Sequence, residues 1–140
     1  MWIHLKYQMF SLSIKERNDR GLGHIPEDRQ KRGLILSFPI LYNMVIKDFE
    51  KNPFSKKGIL DKEVIRKYSQ DIVDKFDVRS GEGVDSLAGM LSGGNQQKAI
   101  IAREIDTVFK LHKLAYMGKQ LVGILVVHML THGDIINLEI

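Results

Sequence analysis

Eight consecutive residues, Leu91-Ser92-Gly93-Gly94-Asn95-Gln96-Gln97-Lys98, bring together groups suited to holding a phosphate. Two glycines stand just ahead of a predicted helix. Without a Cβ they let backbone N–H groups approach a ligand closely. A helix N-terminus adds unpaired N–H donors and about half a positive charge. Such a site favours a phosphate. Ser92 offers a hydroxyl, Asn95 and Gln96 amide donors, and Lys98 a charge. Ser92-Gly93-Gly94 alone reads as an ordinary glycine-rich turn capped by serine; the full run points to an anion. His128 and His132 are spaced i, i+4, but no carboxylate or third ligand has suggestive spacing. No metal site and no catalytic residue is therefore predicted. The absence of cysteine excludes a disulfide framework, a Cys nucleophile and thiolate metal sites.

The elements that must position this run can be read from periodicity. Leu22–Ile25 is a short strand candidate stopped by Pro26, followed by a charged loop over Glu27–Arg32. Tyr42, Val45, Ile46 and Phe49 form the stripe of a short amphipathic helix. Residues 52–58 read as loop. Asp61 is predicted to cap a helix that buries Val64, Ile65, Tyr68, Ile72, Val73 and Phe76. Residues 79–90 read as loop. A second helix is predicted after Gly94, with Ala99, Ile101, Ala102 and Ile105 inward. Leu121–His128 is predicted to be a buried strand.

With 140 residues and ordinary hydrophobic (44%) and charged (27%) fractions, the chain is one domain or part of one. A net charge of +4 permits an anionic partner without selecting one. No apolar run approaches the ~20 residues of a membrane span, and the first ten residues do not form a secretory signal. Composition changes near Asp106: residues 107–140 hold five of the 38 charged residues and no arginine.

The run Leu91–Lys98 resembles the signature motif of ABC-transporter ATPases, in the form found in importers of simple sugars and nucleosides. Gly23-His24-Ile25-Pro26-Glu27-Asp28-Arg29-Gln30-Lys31-Arg32-Gly33-Leu34 resembles the Pro-Glu-Asp-Arg segment of the second ATPase half in that branch, and Arg103-Glu104-Ile105 continues the likeness to Asp106. The resemblance implies an α/β chain, a partial P-loop NTPase of the ABC-ATPase type, mostly its helical subdomain with a few strands. Residues 1–13 are unassigned, 14–106 form a partial nucleotide-binding domain, and 107–140 are a non-matching tail. By the same resemblance, Ser92, Gly93, Gly94, Asn95 and Gln96 contact ATP held by an opposite nucleotide-binding domain, with Mg2+ arriving alongside. Glu27 stands where the family's Q-loop supplies its glutamine. The helices from Tyr42 to Phe76 face permease subunits. The chain is expected to be cytoplasmic and peripheral on the membrane's inner face. Leu41-Tyr42-Asn43 departs from a pattern that has Glu before the Asn, so Tyr42 either alters the docking surface or packs.

A P-loop requires Gly, four residues, then Gly-Lys-Ser/Thr, and no such run occurs here. The acidic pair and D-loop expected after Asp106 are missing too. The expectation is a fragment that does not hydrolyse ATP alone. The codons of Gly118–Gly123, read two bases later, can encode the Thr-Arg-Gly that the family shows. Residues 107–140 are accordingly expected to be out-of-frame translation, their apolar residues an aggregation liability rather than a core. Two other readings stand beside this one. A basic module from a DNA-maintenance ATPase fits the pI of 9.3, but the basic residues are scattered and no nucleic acid is expected. An interaction protein that binds a complete ABC ATPase is not distinguished from it by sequence.

Overall fold

The computed structural model describes residues 11–19, 23–117, 126–127 and 136–137, with side chains through residue 108. Helix α1, Ile14–Asp19, starts at a capping box that the sequence reading left unassigned. The Ser13 N–H donates to Glu16 Oε2 (2.7 Å), and the Glu16 N–H returns to Ser13 Oγ (3.3 Å). Lys51 reaches Asp19 at 2.7 Å and fastens α1 to the turn after the second helix.

Residues 23–26 form no regular element and pair with no strand among the described residues, and Leu22 lies outside them. The strand expected there is corrected: the His24 N–H is taken by a side chain, Glu104 Oε2, at 2.9 Å. The charged loop expected next is instead a single π-helical turn, Arg29–Gly33. Asp28 caps it, its Oδ1 accepting from the N–H groups of Gln30 and Lys31 at 3.1 and 3.0 Å. Those N–H bonds, the Lys31 one foremost, hold the Asp28 carboxyl below its ordinary range.

Helix α2, Ile40–Val45, is shorter than its apolar stripe suggested and turns a different face inward. Ile40, Leu41, Met44 and Val45 are buried, while Phe49 is 43% exposed. Asn43, fully buried, explains the rotation. Its Oδ1 accepts from the Ile35 N–H (2.8 Å), and its Nδ2 donates to the carbonyls of Ile35, Pro39 and Phe38. Tyr42 packs against the core. Residues 52–58 are not plain loop: β1, Ser55–Lys56, pairs antiparallel with β2, Ile59–Leu60. The two-residue connection, Lys57-Gly58, has φ of 53° and 81°, as a type I′ turn requires.

Helix α3, Lys62–Lys75, is capped by Asp61 as read from sequence, Oδ1 accepting from the Val64 N–H at 3.2 Å. Ile65, Ile72 and Val73 are buried; Val64, Tyr68 and Phe76 pack around the core edge. Ser69 is also buried, its hydroxyl donating to the Leu41 carbonyl (2.9 Å) where α3 crosses α2. The C-terminus closes with Asp77 at φ 49°, the Asp77 N–H donating to the Asp74 carbonyl and the Val78 N–H to Val73. This is a Schellman closure, with Val73 and Val78 both in the core. Residues 79–90 form a loop with two short 3-10 turns.

Helix α4, Gly93–Met117, starts two residues earlier than expected and crosses Asp106 without a break. Its inward face holds Ala99, Ile100 and Ala102 beside the buried Arg103 and Glu104; Ile101 and Ile105 are only half-buried. The buried ion pair sets this phase. Of the predicted strand Leu121–His128, Val126–Val127 (β3) pairs with Ile136–Asn137 (β4), and the rest lies outside the described residues. The parallel central sheet of a P-loop domain is not among the described residues.

Candidate functional site

Helix α4 opens directly on the glycine-rich run Leu91–Lys98. Ser92 caps it: the Ser92 carbonyl accepts from the Gln96 N–H at 2.9 Å, and Ser92 Oγ accepts from Asn95 Nδ2 at 3.0 Å. Ser92 and Gly94 are exposed. A Cβ built on Gly94 meets nothing within 4 Å, so the first turn is open there. The described arrangement is a hydroxyl and a bare glycine at the positive end of a 25-residue helix.

The side chains of Asn95, Gln96 and Lys98 bond to the preceding loop. Asn95 Oδ1 accepts from the Arg79 N–H at 3.0 Å. Gln96 is 3% exposed and donates from Nε2 to the Ala88 carbonyl at 3.2 Å. Lys98 Nζ donates to both the carbonyl and the carboxylate of Asp77, each at 2.9 Å. Lys98 first, and Arg79 second, hold the Asp77 carboxyl below its ordinary range. The Asn-Gln-Lys side chains thus brace the loop between α3 and α4 at three points. The loop also walls a groove of about 420 Å³, lined by Ser80, Gly81, Glu82, Ser86, Met90 and Leu91.

Glu27 is exposed on the bend before the π-turn. Two residues later, Arg29 lies over Gly93, its Nη2 2.6 Å from where a Cβ would stand. The two motifs read separately from sequence therefore touch. Behind them, Glu104 is fully buried and ties three segments together. It accepts from the His24 N–H, from Arg103 Nε at 3.0 Å and from Lys47 Nζ. Sequence reasoning placed Glu104 only in a matching stretch; its signal was an acid beside an arginine on an otherwise apolar helix face. No helix among the described residues is long and apolar enough to cross a membrane.

No family model matches the chain. Individual proteins do. The chain is 43% identical over 99 residues to the guanosine import ATP-binding protein NupO of Bacillus subtilis, covering 71% of this chain and 19% of that protein. It is 47% identical over 88 residues to the nucleoside import ATP-binding protein NupA of Lactococcus lactis, covering 63% and 17%. It is 37% identical over 92 residues to a ribose import ATP-binding protein, RbsA, of Streptococcus agalactiae, covering 66% and 18%. The chain spans less than a fifth of the length of these relatives. Over the part that matches, the chain is similar to the ATP-binding proteins of nucleoside and sugar importers.

Proposed function

We propose that residues 14–106 are the signature-bearing part of an ABC importer's ATP-binding subunit, a segment of a P-loop NTPase domain serving nucleoside or simple-sugar uptake. Ser92, Gly93 and Gly94 contact the γ-phosphate of ATP bound by an opposite domain. Asn95 and Gln96 act at the same place by fixing the loop behind it. The supporting observation is the exposed Ser92 hydroxyl and open Gly94 at the N-terminus of α4, on a loop braced from within. These groups suit a phosphate, and Mg2+ enters as the counter-ion of ATP. With no Gly-Lys-Ser/Thr run in the sequence, the chain by itself does not hydrolyse ATP. Residues 107–140 belong to this reading as an out-of-frame tail.

Permease subunits are the proposed second partner, at the inner face of the membrane, with Glu27 as the lever beside them. Phe38 (45% exposed), Leu87 (42%) and Met90 (75%) support a docking face. A backbone bridge between Pro39 and Leu87 and a bond from the Gly89 N–H to the Leu36 carbonyl join their segments. ATP-dependent association with a complete nucleoside-importer ATP-binding protein tests the reading. Binding is expected with Mg-ATP, and loss of binding without nucleotide or in Ser92→Arg. Association indifferent to both would reject it.

A further inference from the structure

The two glycines of the signature run are glycines for different reasons. At Gly94 a Cβ would meet open space. At Gly93 it would meet Arg29, with Nη2 at 2.6 Å, Cζ at 3.3 Å and Nε at 3.7 Å. Arg29 Nε is buried with no hydrogen-bond partner among the described residues. A cation at the positive end of a helix gains nothing from the helix dipole. What seats the guanidinium is therefore the room that Gly93 leaves. The same segment meets α4 twice more: Gly33 lies hard against the Ile100 side chain, and the His24 N–H donates to Glu104. Positions 93, 100 and 104 fall on one face of a helix with 3.6 residues per turn. The segment from His24 to Gly33 thus lies along the first three turns of α4, with Arg29 as its contact at the open end.

We propose that Arg29 is a positioning residue for the nucleotide contact: seated on Gly93, it makes the segment carrying Glu27 and the loop carrying Ser92 and Gly94 move as one piece. This rests on the reading that Ser92 and Gly94 meet the ATP phosphate. Arg29 acts through the helix terminus, and its partner is position 93. The clash at 93 falls on the far end of a long side chain. An alanine there expels the guanidinium rather than disrupting the helix, so Gly93→Ala and Arg29→Ala break the same link.

The test uses the isotope-labelled 140-residue chain together with an unlabelled complete nucleoside-importer ATP-binding protein, ATP with Mg2+ and amide-resolved NMR on wild type, Arg29→Ala, Gly93→Ala and the double variant. In the wild type, ATP is expected to shift the Gly94 amide and the amides of Glu27 to Lys31. In each variant the Gly94 shift persists at several-fold weaker affinity, and the Glu27 to Lys31 shifts vanish. The double variant is no worse than either single one. Without ATP, amide exchange over residues 27–33 rises by the same factor in all three variants. Additive effects, or Glu27 to Lys31 shifts that survive Arg29→Ala, would overturn the positioning role alone. No ATP shift anywhere in the wild type would overturn the nucleotide reading and the positioning role with it.

Discussion

Glu104 is a fully buried carboxylate, answered by Lys47, Arg103 and the His24 N–H. Removing one partner of a buried ion pair leaves the others unpaired, at a cost of ~3–5 kcal/mol. Glu104→Ala is therefore expected to lose that much stability in urea unfolding, and Glu104→Gln, which keeps an acceptor for His24, clearly less. Equal losses in the two variants would mean that packing, not charge, matters here. Single residues of this kind were the least legible in sequence. Asn43, Ser69, Gln96 and Glu104 are all buried. Each is buried because of a partner between eight and 80 positions away. Hydrophobic spacing carries no trace of such partners, so the bond from Gln96 to the Ala88 carbonyl could not be read from it.

At the scale of elements, local rules did better where they had only local work to do. Asp61 and the six apolar residues after it specify α3 almost completely, since a cap and a 3.6-residue period are both written in the chain. Asp61→Ala should cost ~1 kcal/mol by removing the acceptor of the Val64 N–H. Thermal unfolding by circular dichroism would show it, and Asp61→Asn should recover most of the loss. The α4 face was misjudged by one position, Ile101 for Ile100, because Arg103 and Glu104 turn inward with their partners. Tyr68, on the α3 face, donates to Asp106 at 2.7 Å; burial first, and that bond second, push its phenol far above its ordinary pKa. Its position was legible from the stripe, its partner was not. The resemblance carried by Leu91–Lys98 was legible in sequence, being a contiguous run that needs no tertiary knowledge.

The whole molecule is laced by carboxylates held below their ordinary value of 3.8: Asp28 at the π-turn, Asp77 between Lys98 and Arg79, and Asp85 bound by Arg66. A group with a lowered folded pKa stabilises the fold above its unfolded value. That contribution disappears as pH falls through 3.8 towards the folded pKa. Stability should thus be level from neutral pH down to about 5 and then decline. Added salt should shrink the decline, because the pairs are exposed. Urea midpoints measured against pH at two ionic strengths would show both effects; a midpoint that rises on acidification would contradict them. The composition break at Asp106 has no counterpart in the backbone, since α4 runs on from it to Met117. A helical ladder joins N–H to C=O and is nearly indifferent to which side chains it carries, provided proline is absent. The eleven residues from Thr107 to Met117 contain neither proline nor glycine. In genetic terms, the slip of the reading frame proposed for this point would be silent in the backbone: it would alter every side chain that follows, yet the helix would carry it for three turns without a mark.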